Sequence, residues 1–355
     1  MRSVGLPAEI KDGERRVALD PAAIRLLAAQ GVQVLVQADA GRRAGFDDAQ
    51  YTRAGARIVP TAADAWSADV VVKVKEPLEP EWELFRPDLT LFAYLHLAAC
   101  APLADAIVRS GMTAVAFETV TDRTGLPLLA PMSEIAGRVA AIVGAFHLAG
   151  GSGTLIGGAA GVPPARVVVI GLGVAGTLAA RGLRGLDAEV TGVDVDLARL
   201  RDAQQSGLVT GTLFSSPGAV GEAVAEADLV IGAALVPGSR APVVVSAEQV
   251  ASMRAGAVIV DLAIDQGGCV ETARPTSLSD PVYEVDDVIH YCVTNVPGQY
   301  PRTASRALSA AVAPRALKLL HDPGHPSLAG GLNVVAGEIA HPAVAEALAD
   351  VVGAA

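Results

Sequence analysis

The sequence predicts an α/β protein of two wound domains, each built on a parallel sheet, and three observations predict it. Short apolar runs alternate with amphipathic stretches up to about residue 116 and again from residue 166 to about 293, the pattern of βαβ units. At 355 residues the chain exceeds what one hydrophobic core usually serves. Hydrophobic residues make up 51% and charged residues only 18%, a balance that fills sizeable cores and argues against extended disorder.

In the first region the apolar runs at 3–7, 32–37, 70–74, 89–95 and 113–116 read as strands, with a helix over 21–30. An apolar stretch of small residues over 133–149 reads as a buried helix joining the domains; Pro131 and Ser133, the latter as N-cap, open it, and the Gly-rich run 150–161 closes it. Strands resume at 167–170, 190–193, 229–232, 258–261 and 288–293. After Pro301 the pattern turns helical over 303–320, and a last helix is predicted over 342–352. The economical arrangement has the chain leave the second domain on a helix and return to the first. Residues 1–128 with 302–355 then form one domain and residues 129–301 the other, linked by long hinge helices.

A formal net charge of −11 without a run of Lys or Arg speaks against nucleic acid or an anionic membrane surface as partner. The N-terminal MRSVGLPAEI lacks a signal-peptide pattern, and no stretch approaches the ~20 unbroken apolar residues of a membrane span, so a cytoplasmic location is expected. Cys100, Cys269 and Cys292 sit singly, without the paired spacing of a zinc site or a disulfide framework; reduced, packed thiols and no metal are expected.

The most informative local motif is RVVVIGLGVAG from Arg166, which places Gly171, Gly173 and Gly176 directly after an apolar strand and at the start of an Ala-rich helix. In that context the first glycine permits a tight turn, the second lets backbone approach a pyrophosphate, and the third allows close packing of helix on strand. The positive end of the helix would hold the pyrophosphate. The next strand ends at Asp194, where a carboxylate accepts adenosine ribose hydroxyls and repels a 2′-phosphate. The second domain is thus predicted to be a Rossmann dinucleotide-binding domain with NAD as cofactor, and Arg199 is the nearby group that could soften the preference.

Four polar residues are candidates: Lys75 and His96 at the C-terminal ends of predicted strands, where wound sheets place ligands, Asp265 a few residues beyond another, and Arg16 in a loop. Lys75 closes the run VVVKVK, and taken alone reads as a solvated edge charge. His96 follows LTLFAYL, and taken alone reads as a hydrogen-bonded core histidine. Asp265 precedes Gln266-Gly267-Gly268, where an Asx turn competes as explanation. Arg16, in GERRVA, reads equally as a surface loop charge. Together they supply a cation for a carboxylate, and a Lys, His or Asp to manage protons and water at a reacting carbon beside a nucleotide.

Seven motifs in order carry a family likeness: KDGERRVALDP from Lys11, KVKEP from Lys73, LHLAA from Leu95, APMSEIAGR from Ala130, GLGVAG from Gly171, DLAIDQGG from Asp261 and GLNVVAG from Gly331. Over nearly the whole chain their order and spacing resemble the alanine dehydrogenase family. The resemblance implies interconversion of L-alanine, or a close L-amino acid, with its 2-oxo acid and ammonia, with NAD and without a metal. It implies that Arg16 binds the substrate carboxylate, that Lys75 and His96 contact the 2-oxo or amino centre and transfer protons, and that Asp265 orders the attacking water. Ser133, Gly173, Val174, Asp194, Arg199 and Leu235 would line the cofactor site, Asp265 and Asn295 would serve cofactor as well as substrate, and the assembly would be a homohexamer.

Some positions depart from the family pattern. Phe117 stands where Tyr is usual, Val296 where Met is usual, Arg42 and Arg43 where small residues are usual, and Tyr300 is bulky for its place, which suggests a substrate larger or more polar than alanine. Rival readings are an amine-condensing imino-acid or opine-type dehydrogenase, the NAD-binding component of a transhydrogenase, and a pseudoenzyme that senses NAD or an amino acid.

Overall fold

The computed structural model describes residues 2–123, 125–235 and 240–353, with side chains through residue 349. The chain divides into two compact units, Met1–Met132 with Gly298–Ala355, and Ser133–Pro297; the sequence-based seams stood at 128/129 and 301/302.

The first unit opens with β1 (Ser3–Leu6), α1 (Pro21–Ala29), β2 (Gln33–Gln37), α2 (Asp48–Arg53), β3 (Arg57–Val59), α3 (Ala62–Trp66), β4 (Val70–Val72), β5 (Thr90–Ala93), α4 (Ala101–Ser110) and β6 (Thr113–Ala116). Helix α1 starts where the sequence says it should: Pro21 takes the first position, where a missing N–H costs nothing, and the Asp20 carboxylate accepts the Ala23 N–H. Helix α5 (Ala130–Leu148) follows, starting three residues earlier than predicted. Ser133 therefore lies inside its first turn and does not cap it, because Pro131 fits the opening turn and lets the helix begin at Ala130.

The second unit continues with β7 (Arg166–Ile170), α6 (Val174–Arg184), β8 (Glu189–Asp194), α7 (Leu197–Gln205), β9 (Gly211–Phe214), α8 (Pro217–Ala225), β10 (Leu229–Gly232), α9 (Ala247–Ala251), β11 (Val258–Asp261), β12 (Val282–Val285) and β13 (Val288–Tyr291). The chain then re-enters the first unit through α10 (Pro301–His321), β14 (Leu332–Val335), β15 (Glu338–Ile339) and α11 (Pro342–Gly353).

The two sheets share one winding. In the first, six strands run in parallel in the order β3-β2-β1-β4-β5-β6, and in the second β9-β8-β7-β10-β11-β13 do the same. Counting only the parallel strands of each unit in chain order, both read 3-2-1-4-5-6, so each sheet reverses direction once, between β1 and β4 and between β7 and β10. Crevices at the carboxyl ends of strands beside such reversals are where wound sheets bind ligands. Each sheet also carries antiparallel edge strands, β14 and β15 on the first and β12 on the second, so both are mixed and not purely parallel.

Strands β1, β4, β5, β10 and β11 are buried almost throughout, as expected of central strands covered on both faces. Cys269 and Cys292 are buried and Cys100 half-buried, all three as free thiols. Burial pushes the Cys269 thiol well above its ordinary pKa, and the neighbouring Asp261 carboxylate adds to the shift, so it is an inert packing group.

Candidate active site

The site residues fall into two sets, one on each unit. On the first unit the reversal point lies between β1 and β4. The chain leaving β1 carries Glu9, Glu14 and Arg16, and the chain leaving β4 carries Lys73 and Lys75. Arg16 is almost fully buried. Its Nε and Nη2 donate to the two Glu14 carboxylate oxygens at 2.8 and 2.6 Å, and its Nη1 donates to the Met132 sulfur at 3.1 Å. Burial alone would pull the guanidinium pKa down, but the Glu14 contacts outweigh it and raise the value. The result is a charged plane fixed in orientation, the property that suits Arg to a carboxylate partner.

Arg16, Glu9, Glu14, Asp39 and Arg43 line a cavity of about 180 Å³ within this unit. Lys75 is half-buried, three residues past β4.

His96 follows β5 and is the one ring of this set with substantial exposure, 44% of its side chain. Its backbone is left-handed, with φ at 48°, and Glu118, just past β6, accounts for that conformation. The Glu118 carboxylate accepts the His96 N–H at 2.6 Å and the Leu95 N–H at 3.2 Å, and it lies 3.8 Å from His96 Nδ1. Tyr94 lies parallel to the imidazole with centroids 6.2 Å apart, and donates its hydroxyl to the Leu128 carbonyl. Held left-handed backbone at a non-glycine residue costs on the order of 1–3 kcal/mol and is typical of functional positions.

On the second unit, β7 turns into α6 through Gly171, Leu172 and Gly173. Gly171 has φ at 90°, a left-handed value that an L side chain rarely adopts, and a Cβ on Gly176 would stand 1.8 Å from the Gly171 carbonyl oxygen. Gly173 differs: a Cβ there would meet nothing within 4 Å. It is also the N-cap of α6 and supplies no side-chain cap, so backbone amides of the first turn and an open approach coincide. Val174, the first residue of α6, is 45% exposed beside that opening.

Asp194 ends β8. Its carboxylate accepts the Leu172 N–H at 2.7 Å and the Asp196 N–H at 2.9 Å, which ties the glycine turn to the next strand and leaves further lone pairs for hydroxyl donors. Arg199 Nη1 lies 3.6 Å from it. A turn a side chain would obstruct at Gly176, an open Gly173, and a carboxylate at the end of the second strand together fit a dinucleotide.

In DLAIDQGG the two aspartates divide their work. Asp261, buried at the end of β11, accepts the N–H groups of Ala263, Cys269 and Val270 and so shapes the loop between them; burial raises its pKa. Asp265, at the crest of that loop, is exposed and accepts the Asn295 N–H with both carboxylate oxygens at 3.2 Å. Asn295 is itself left-handed, with φ at 54°. The structure thus brings Asp265 and Asn295 together. Leu235 is 41% exposed beyond β10, next to positions outside the described residues, and Ser133 is half-buried in α5.

Three buried or half-buried carboxylates escaped the sequence reading: Glu9, Glu14 and Glu118. Glu14 stands two residues before Arg16 in the motif GERRVA. Glu118 is adjacent to Phe117, which stands out in the sequence only for replacing the usual Tyr.

The departures from the family pattern also find places. Phe117 is fully buried, edge-on to Phe92 at 4.5 Å and to Tyr94 at 5.1 Å, and Val296 is buried too. Both are packing residues. Arg42 is an exposed partner of Asp39, whereas Arg43 lines the cavity that holds Arg16.

Residues 5–136 match the alanine dehydrogenase/PNT N-terminal domain and residues 140–342 match the corresponding C-terminal domain. The chain belongs to the alanine dehydrogenase/PNT family. Among relatives within that family, the alanine dehydrogenase of Mycolicibacterium smegmatis is 49% identical, with 97% of this chain and 96% of the relative aligned, and that of Bacillus subtilis is 46% identical, with 97% and 94% aligned. A solved L-alanine dehydrogenase superposes with a TM-score of 0.93 at 48% identity, covering 98% of this chain and 99% of the other. A transhydrogenase from Sinorhizobium meliloti superposes at 0.84 with 30% identity, covering 96% and 100%. Family membership implies a nicotinamide cofactor. Among the described residues no helix is long and apolar enough to cross a membrane, and no three His, Cys, Asp or Glu side chains cluster as metal ligands.

Proposed function

We propose that this chain is an NAD-dependent L-alanine dehydrogenase that oxidatively deaminates L-alanine to pyruvate and ammonia and runs the reverse reductive amination. The observation that carries this reading is the 48% identity over nearly the full length to a solved L-alanine dehydrogenase, against 30% to a transhydrogenase of equal coverage. NAD, in preference to its 2′-phosphate form, is favoured by the buried Asp194 carboxylate at the end of β8.

A bound nicotinamide supplies the acceptor for the hydride of Cα. The chain's own groups do the rest. Arg16, its plane set by Glu14, pairs with the substrate carboxylate, and the Lys75 ammonium adds a second positive charge. His96, its backbone held by Glu118, takes and returns protons at the 2-position. Loss of hydride leaves an imine; Asp265 orders the water that adds to it, and collapse of the resulting carbinolamine releases ammonia and pyruvate. Asn295, tied to Asp265, positions that carboxylate. The same family likeness supports a homohexamer and a cytoplasmic location.

Arg43 favours one variation on specificity. Its guanidinium shares a cavity with Arg16, which suits a more polar 2-oxo acid than pyruvate. The catalytic assignment is tested by His96→Ala and Asp265→Ala: turnover should be abolished with NADH binding largely intact, and near-normal turnover in either variant would refute its role.

A further inference from the structure

Glu9 lies three residues beyond β1 and Lys75 three beyond β4, on the two chain segments that diverge at the reversal point of the first sheet. The Glu9 carboxylate bridges them. Its Oε1 accepts the Val74 N–H at 2.6 Å and its Oε2 accepts the Lys75 N–H at 3.4 Å, so the segment presenting Lys75 is tied by its backbone to the neighbouring loop. Strand β4 ends at Val72, which leaves these amides beyond the sheet's own ladder.

The groups facing Glu9 come from three elements. Lys73, past β4, approaches it at 3.7 Å and binds Glu81 at 2.5 Å; Glu81 sits on the 3-10 turn Glu79–Leu84; Glu14 and Arg16 lie on Glu9's own loop. Burial pushes the Glu9 carboxyl up to about 7, with Lys73 and the Val74 N–H pulling the other way. Ionic pairing with Lys73 is therefore shared with Glu81, whereas the bonds to Val74 and Lys75 belong to Glu9.

We propose that Glu9 is a positioning residue of the reaction: its carboxyl group clamps the Val74–Lys75 backbone at the end of β4 and thereby sets the reach of the Lys75 ammonium toward the substrate. The inference rests on the reading of Lys75 as a substrate-binding group.

Two variants separate position from charge. Glu9→Asp keeps the charge beside Lys73 but withdraws the carboxylate by one methylene, whereas Glu9→Gln removes the charge but keeps a carbonyl acceptor in reach of the Val74 N–H. Steady-state rates with pyruvate and ammonium, NADH binding, and amide exchange at Val74 and Lys75 are measured on the full-length chain. A clamp predicts that Glu9→Asp lowers kcat/KM for pyruvate at least about tenfold, since displacement of a substrate-binding group by about 1 Å is that costly, with unchanged NADH affinity and faster amide exchange at both residues. It also predicts that Glu9→Gln recovers most of that loss. Wild-type kcat/KM in Glu9→Asp, or a Glu9→Gln variant as impaired as Glu9→Asp, overturns the proposal. If the unmutated chain shows no ammonium-dependent turnover, the functional reading fails instead, and amide exchange alone decides the clamp: unchanged exchange in Glu9→Asp refutes it.

Discussion

The Glu118 carboxylate holds His96 by its backbone, accepting the His96 N–H at 2.6 Å while standing 3.8 Å from Nδ1 of the same residue. One acidic side chain thus sustains the left-handed turn that follows β5 and lies within ion-pairing distance of the imidazole whenever it is protonated. The structure places no other acceptor on that N–H among the described residues.

Removing this support should cost rate more than binding. Glu118→Ala is expected to lower kcat by roughly ten- to a hundredfold, the scale of losing positioning for one acid-base group, with little change in NADH affinity. Glu118→Gln, which keeps an acceptor for the backbone, should lose less. A kcat in Glu118→Ala within twofold of the unmutated enzyme would contradict the assignment.

The glycine turn makes a sharper pair of predictions, because its members fail for different reasons. Gly173→Ala places a methyl in open space at an ordinary φ, so its thermal midpoint should match the unmutated chain while the Kd for NADH rises about tenfold. Gly176→Ala drives a methyl against the Gly171 carbonyl, so it should unfold more readily, by about 1–3 kcal/mol. Thermal melts and NADH fluorescence titration check both. Equal stability loss in the two variants would remove the reason for assigning Gly173 to the cofactor.

Much of this was legible in sequence because it rests on local pattern. The apolar runs of β7, β10 and β11 and the spacing of Gly171, Gly173 and Gly176 are short-range signals, and the strands and the turn from β7 into α6 stand where they put them. What stayed hidden depends on contacts between distant segments. Strand β3 is three residues long and β15 two, too short for alternation to show, and β14 pairs with β6 across more than 200 residues of chain. Glu9 carries no signal in its own neighbourhood, since its meaning comes from amides 65 residues away. Phe117 is the converse case: its identity is visible in the sequence, but its burial against Phe92 and Tyr94 is not.

The buried Glu9 also predicts a stability that depends on pH. Its pKa in the folded chain is raised from 4.5 to about 7, so between those values the folded state binds more protons than the unfolded state. Stability should fall as pH rises through that window, by an amount on the order of 3 kcal/mol from this group. His147 and His290, whose pKa values burial lowers, act in the opposite sense below about 6.5, so the test is a difference. Denaturant titrations at pH 5 and pH 8 should show Glu9→Gln gaining stability relative to the unmutated chain at the higher pH. A difference independent of pH would contradict the raised value.

The proposed reaction transfers hydride between a nicotinamide and the 2-carbon of an amino acid formed from free ammonia. Its most direct test is NADH oxidation over a panel of 2-oxo acids, from pyruvate through 2-oxobutyrate to acidic and bulkier members, each with and without ammonium and with NADPH as control. Oxidation should require ammonium, be fastest with pyruvate or a close homologue, and be much slower with NADPH. Absence of ammonium-dependent oxidation with every acid would contradict it.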